Sequence, residues 1–430
     1  MSKKKQTIMK PARKVLKNGL RVVTVPMKGN PTVTVLVLVE AGSHYETAEQ
    51  NGISHFLEHM CFKGTKNRPS PMMISTELDS LGAQSNAFTG YEFTGYYTKA
   101  RAKHFPKLLD VIADLYLYPT IPKDELEREK GVIVEEINMY EDLPMQEVGR
   151  VLDSVMYGDQ PAGRSILGTK ENVRSLERDA FVEYRSKHYV PSGTVVVVAG
   201  DITSSEVSKS ISKYFDTIPK KSKPKKPRVG EVQTSPQINV KYKKSSQTHF
   251  QIGFRTVPVT HRDVPTIEVL RTVLGQGMSS RLWRKLREEM GVCYYVRANT
   301  EYHSDHGKFV VSSGVDTERV DLVLQTILGE IRLLQQELVS PEELAKAKEY
   351  LLGNMTMNLE VSDELAEYYG VQEILHQPLL TPKEYAQKIR QVTPEQIKKV
   401  ATKLFEDKKM NLAVIGPFKD ASKFKKLFKI

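Results

Sequence analysis

Thr194-Val195-Val196-Val197-Val198-Ala199-Gly200 returns 216 positions later as Met410-Asn411-Leu412-Ala413-Val414-Ile415-Gly416. Each is a short apolar run ending in glycine, the pattern of a strand buried on both faces. The same offset pairs Val173-Arg174 with Ile389-Arg390. It also pairs the helical apolar positions Leu108, Ile112 and Leu115 with Leu324, Leu328 and Ile331. A recurrent offset over so long a stretch signals an internal duplication. Each copy reads as strand, helix, a pair of strands, helices and a final buried strand. The expected fold is therefore α+β: two duplicated domains, each a mostly antiparallel sheet with helices packed on it.

A chain of 430 residues is too long for one compact core and fits two domains. Between the copies lies a Lys/Pro-rich stretch, PKKSKPKKPRVG at 219–230. The expected division is 1–218, a linker at 219–232, and 233–430. The net charge of +11 invites a nucleic-acid reading, so its location matters. Four lysines fall in residues 1–12, six positive charges in 219–230, and five lysines against one acid in 418–430. Together these segments exceed the net charge, so the excess lies on tails and a linker rather than on a folded face. Such a linker is expected to be a solvated spacer, and no nucleic-acid partner is expected. No apolar run is long enough to span a membrane, and residues 1–26 lack the apolar core of a secretory signal. Only Cys61 and Cys293 are present. The expectation is a cytoplasmic protein without disulfides or a membrane partner.

The chemistry lies in GISHFLEHMCFKGT, residues 52–65. At 3.6 residues per turn, His55, Glu58 and His59 share one face of a helix. Two imidazoles one turn apart can reach a single zinc ion, and the glutamate between them can take a proton from metal-bound water. A third ligand that is a carboxylate would leave the centre net positive, keeping the bound water acidic. PKDELEREKGVIVEEINMYED, residues 122–142, is the obvious source. Glu129 and Glu136 are seven residues apart and share a helical face. Physical reasoning leaves Glu135 and Glu136 equally eligible.

These segments, with YGDQPAGRSILG at 157–168, resemble the pitrilysin or insulinase-type zinc metallopeptidases over nearly the whole chain. The likeness is greatest to short, single-half members such as the mitochondrial processing peptidase beta subunit. It implies a half-clamshell of two sheet domains, with His55, His59 and Glu136 holding one zinc ion per chain. Glu58 is then the general base and Glu129 a supporting acid. The resemblance makes Asn86, Ala87, Phe88 and Thr89 an edge strand that pairs with the substrate backbone. It makes Phe62 an apolar wall for the substrate residue after the cleaved bond. Arg287 and Tyr294, from the second half, would hold the substrate and stabilise the oxyanion. Only the first copy carries zinc residues; the segment taken as the second copy's corresponding helix, Met278 to Leu286, has no histidine.

The function so implied is a zinc endopeptidase or oligopeptidase acting on peptides or unfolded polypeptide, working as a homodimer. Two alternatives belong to the same resemblance: a presequence-processing subunit and a non-catalytic scaffold subunit. In the processing enzymes, acids after the third ligand read a basic substrate residue; Gln146 and Arg150 stand at those positions. The scaffold members typically lose parts of the motif, which is whole here.

Overall fold

The protein is described by a computed structural model covering residues 10–230 and 232–429. Residues 1–9, which carry most of the N-terminal lysines, lie outside the described residues. Among the described residues, eleven strands form two sheets: β1 Ala12–Val15, β2 Arg21–Pro26, β3 Thr32–Val39, β4 Gln84–Thr89, β5 Thr94–Arg101, β6 Thr194–Gly200, β7 Gln237–Tyr242, β8 Gln247–Thr256, β9 Cys293–Tyr302, β10 Gly307–Asp316 and β11 Met410–Gly416. The first sheet has the order β1-β2-β6-β3-β5-β4, the second β7-β11-β8-β10-β9. In both, the repeated apolar strand lies inside the sheet. Strand β6 runs parallel to β2 and antiparallel to β3; β11 runs parallel to β7 and antiparallel to β8. All other pairings are antiparallel. The duplication read from the sequence is thus a duplication of sheet topology, and β1 is the first copy's addition.

Strands β3 and β6 read as nearly unbroken Val/Leu runs because both faces of the first sheet are covered. Every residue of β6 is buried, as are the last seven of β3. Helix Phe105–Leu117 packs against β3 and β5, and helix Ser362–Ile374 against β6 and β3. The latter approach needs a small residue: a Cβ on Gly370 would lie 2.8 Å from Leu38 Cδ1. In the second sheet, helix Pro144–Tyr157 packs on β11 and β8. There the strand yields instead, since a Cβ on Gly253 would lie 2.8 Å from Met156 Sδ.

These two helices change the domain description. The chain forms two compact units, but each takes in a segment from the other half of the sequence. The first comprises residues up to Ile137, Ser165–Pro227 and Thr356–Thr381; the second comprises Asn138–Arg164, Arg228–Met355 and the chain from Pro382. A single cut between 1–218 and 233–430 therefore does not describe the packing. One of the places where the chain passes between units lies between Pro227 and Arg228.

The linker itself is not a free spacer. Lys221 accepts from Ser192 Oγ at 2.8 Å, Lys223 meets Glu40, and Lys226 Nζ lies 2.9 Å from Glu92 Oε1. The last pair is nearly enclosed, with side chains 9% and 4% exposed. Its lysines are consumed by buried carboxylates of the first unit, so the stretch up to Pro227 is strapped down. Among the described residues, no helix is long and apolar enough to cross a membrane.

Candidate metal centre

Helix α1, Ile53–Cys61, carries the histidine motif, and eight of its nine residues are buried. Phe56, Leu57, Met60 and Cys61 face the first unit's core. The opposite face presents His55, Glu58 and His59. Its N-cap is Gly52 at φ +101°, where a Cβ would lie 2.6 Å from Leu167 O. Glycine has no capping side chain, so the fully buried Glu46 supplies one. Glu46 Oε2 accepts from the Gly52 N–H and Glu46 Oε1 from the Ser54 N–H, each at 2.8 Å.

The second helix of the site, Lys123–Asp142, buries Leu126, Ile133 and Ile137, which turns Glu129 and Glu136 toward α1. Glu136 Oε2 lies 3.6 Å from His55 Nε2 and 3.8 Å from His59 Nε2. Glu135, about 100° further round the helix, is exposed. Burial of the Ile133/Ile137 stripe thus selects between two carboxylates that residue chemistry left equivalent.

The donor set fits a zinc ion. Tetrahedral ligands at about 2.0–2.1 Å from a metal are separated from each other by about 3.4 Å, close to the spacing seen here. One atom from each of His55, His59 and Glu136 lies within 4.8 Å of the others. The rings of His55 and His59 sit 4.6 Å apart at 63°, so both Nε2 atoms can turn toward one point. His59 Nδ1–H donates to Glu129 Oε1 at 2.8 Å, leaving its Nε2 lone pair free for a metal. Lys63 Nζ holds the other oxygen of Glu129 at 2.6 Å.

Burial, helped by His59, pulls the His55 pKa down to about 3, so its imidazole is neutral, the form that ligates. Burial also pushes Glu136 up. Burial works against a charged His59, but the Glu129 hydrogen bond and the surrounding carboxylates raise it above the ordinary value. Glu129 is pushed up by burial, yet hydrogen bonds from His59 and Lys63 hold it below the usual carboxylate range. Glu58 is raised, first by burial and then by Glu136, against the Thr89 hydrogen bond. A raised carboxyl in a cleft of charge partners is the environment of a proton-transfer group.

Strand β4 ends at this site. It is the edge of the six-stranded sheet, paired only with β5 among the described residues, in the register Asn86↔Tyr97, Ala87↔Tyr96, Phe88↔Gly95 and Thr89↔Thr94. Its far backbone edge therefore has donors and acceptors to offer. Phe88 lies across Gly95, where a Cβ would meet its ring at 2.4 Å. Thr89 Oγ1 donates to Glu58 Oε2 at 2.6 Å. Phe62 closes α1 as its C-cap residue, half-buried, with its ring 6.2 Å from that of Tyr96.

Arg287 and Tyr294 belong to the second unit. Arg287, on a π-helical turn Trp283–Glu289, donates through Nη1 to Cys293 O at 2.7 Å. Tyr294, on the edge strand β9, is 54% exposed. The second copy's counterpart of α1 is helix Val264–Gly275, which follows β8, and not Met278–Leu286. At the repeat offset, His55, Glu58 and His59 become Arg271, Leu274 and Gly275, so no ligand remains. A Cβ on Gly275 would lie 2.6 Å from Ala298 N, so close packing on β9 occupies the place of chemistry.

Sequence reasoning missed Glu46 and Lys63. Lys63 carried a signal: it follows His59 by one helical turn and opposes an acid. Glu46 reaches α1 from a loop, and no spacing announces that.

Residues 21–170 match the insulinase (peptidase family M16) family model, and residues 175–351 match the model described as the peptidase M16 inactive domain. Bacillus subtilis has a relative, named uncharacterized zinc protease YmxG, that is 34% identical over 94% of this chain and 98% of that protein. A Streptomyces coelicolor relative, named uncharacterized zinc protease SCO5738, is 32% identical over 95% of this chain and 90% of that protein. A crystal structure of a protease from Helicobacter pylori superimposes with a TM-score of 0.90 at 23% identity, over 96% of this chain and all of that one. A Pseudomonas fluorescens structure titled as a peptidase M16 inactive domain gives 0.89 at 19% identity, over 95% of this chain and 99% of that one. With two sheets of duplicated topology, the His55, His59 and Glu136 ligand set in the first unit, and relatives matched from end to end, the chain belongs to the insulinase family, peptidase family M16.

Proposed function

We propose that this protein is a zinc-dependent endopeptidase or oligopeptidase that hydrolyses peptides or unfolded polypeptide segments. The observation that carries the reading is the convergence of His55 Nε2, His59 Nε2 and Glu136 Oε2 beside Glu58, a carboxyl tethered to an edge strand. The names of the Bacillus and Streptomyces relatives support zinc as the metal. When bound, one zinc ion per chain supplies Lewis-acid polarisation of the scissile carbonyl and lowers the pKa of its water.

The chain's own residues do the rest. His55, His59 and Glu136 would hold the metal, and Glu129 fixes the His59 ring. Glu58 takes the proton from the attacking water and passes it to the leaving amine. The open edge of β4 at Asn86, Ala87, Phe88 and Thr89 hydrogen-bonds an extended substrate, which asks little of substrate side chains. Phe62 offers an apolar surface at the end of α1. The substrate-holding and oxyanion roles of Arg287 and Tyr294 rest on the family resemblance, as does pairing into a homodimer. A cytoplasmic location rests on the two free, buried cysteines.

Against the processing-subunit reading stands Arg150. Its guanidinium is bound to Glu147 at 2.8 Å, and Glu147 is buried and also held by Lys241, so no free acid awaits a basic residue there. Against the scaffold reading stands the complete ligand set. Incubating the protein with a mixed peptide library, with and without chelator, followed by mass spectrometry, decides. Chelator-sensitive cleavage at many sites is expected. Zinc bound without cleavage would favour the scaffold, and cleavage confined to basic leader peptides would favour the processing subunit.

A further inference from the structure

We infer that Lys63 is a positioning residue for the metal centre, pinning the Glu129 carboxylate that in turn orients His59. This rests on the zinc reading above. Glu129 uses both oxygens: Oε1 accepts from His59 Nδ1 at 2.8 Å and Oε2 from Lys63 Nζ at 2.6 Å. The Glu129 side chain is 6% exposed, so bulk water does not compete for these oxygens. A carboxylate held at one oxygen can swing about its terminal torsion, which is broad. Held at both, it cannot. The His59 ring then has one orientation, with Nε2 aimed at His55 and Glu136.

The backbone delivers Lys63 to this place. The Phe62 N–H donates to His59 O at 3.1 Å and the Lys63 N–H to Met60 O at 3.2 Å, so the chain is still bound to the last turn of α1. At Gly64, φ is +136° and a Cβ would lie 2.7 Å from Pro69 O, so the chain departs at once. A lysine one turn beyond His59 is thereby fixed on the ligand face. Formal charge agrees. A divalent cation beside Glu58, Glu129 and Glu136 leaves one negative charge in excess, and Lys63 supplies its partner. An ordinary exposed ion pair would leave metal affinity untouched. The Lys63–Glu129–His59 chain predicts otherwise.

The test measures zinc affinity by chelator competition, and the visible spectrum of the cobalt-substituted protein, for wild type, Lys63→Met, Lys63→Arg, Glu129→Gln and the Lys63→Met/Glu129→Gln double variant. Lys63→Met should weaken zinc binding about 10–100-fold and alter the cobalt bands, as loss of an outer-shell partner does. Lys63→Arg should recover most of the loss. In the Glu129→Gln background, Lys63→Met should change little, because the relay is already cut. Melting of the metal-free variants controls for folding, and the Arg variant and the double variant still decide if Lys63→Met melts early. Wild-type affinity and spectrum in Lys63→Met, or the same further loss in the Glu129→Gln background, would overturn the assignment. A wild type that binds no zinc would overturn the zinc reading and this inference together.

Discussion

Thr89 Oγ1 lies 2.6 Å from Glu58 Oε2, so the last residue of edge strand β4 holds the carboxyl assigned to proton transfer. On the proposed mechanism, the strand that binds substrate and the group that acts on water are thus one hydrogen bond apart. Replacing Thr89 with Val removes the donor at nearly constant shape. Its kcat should fall roughly 10–100-fold, the range expected when a reacting group is misplaced by about 1 Å. Zinc content should stay at the wild-type level, and Thr89→Ser should retain most activity. Steady-state kinetics beside metal analysis checks this; an unchanged kcat in Thr89→Val would sever the link.

Glu58→Gln separates base from ligand. The amide preserves size but cannot accept the proton, so peptide cleavage should fall by about 100-fold or more while zinc binding persists. His59→Ala and Glu136→Ala should behave oppositely, losing the metal on dialysis. Elemental analysis of the three purified variants gives the answer. Hydrolysis surviving in Glu58→Gln would remove it from the role of base.

Glu46 is the cap that Gly52 cannot provide. Glu46→Ala leaves the N–H groups of Gly52 and Ser54 without their acceptor in a buried place, and takes from the Asn51 amide one acceptor while Ser165 O remains. A cost of roughly 1–3 kcal/mol is expected. Denaturant unfolding should report it, with zinc affinity falling because α1 frays beneath His55. A stability change below about 0.5 kcal/mol would mean that water replaces the carboxylate.

Acid should loosen the loop behind α1. Arg68 Nε meets Glu77 Oε2 at 2.7 Å, Nη2 meets Asp110 Oδ2 at 2.6 Å, and Nη1 meets Asp114 Oδ2 at 2.8 Å. The Arg68 hydrogen bond holds Glu77 below its ordinary 4.5. Burial pushes Asp110 up, but Arg68 and Tyr214 hold it below 3.8. A lowered folded-state pKa means stability fully present above the unfolded value and lost as pH falls through the folded one. Unfolding free energy should therefore decline as pH drops from about 5 downward. Both carboxylates are substantially exposed, so screening limits their share to about 1 kcal/mol or less. Arg68→Met should be less stable at neutral pH, because Asp114 is left buried without its cation, and should show a shallower acid decline. Equal slopes for the two proteins would refute the assignment.

What the sequence made legible follows from periodicity. The 3.6-residue spacing put His55, Glu58 and His59 on one face, and the 216-residue offset foretold two sheets of like topology. Glu136 over Glu135 was a different matter, settled by which stripe of its helix is buried, a fact about packing partners far along the chain. The same limit explains the misplaced counterpart of α1. Once its histidines have become Arg271 and Gly275, nothing chemical marks helix Val264–Gly275 as the homologous element. Nor does the amphipathic stripe on residues 144–157 say which of two similar sheets it will cover, and residues 362–374, which bury Ser362, Gln372 and Glu373 beside their apolar side chains, show no such stripe at all. The linker was misjudged for a related reason, since its lysines found Glu40 and Glu92 in the folded unit.

The swap of Pro144–Tyr157 and Ser362–Ile374 has a consequence during synthesis. A ribosome that has made the first half has also made β3 and β6, but not the helix that seals them. Their apolar surface stays bare until roughly 150 further residues emerge, about ten to thirty seconds at ordinary elongation speeds. Neither half of the coding sequence therefore encodes a complete unit.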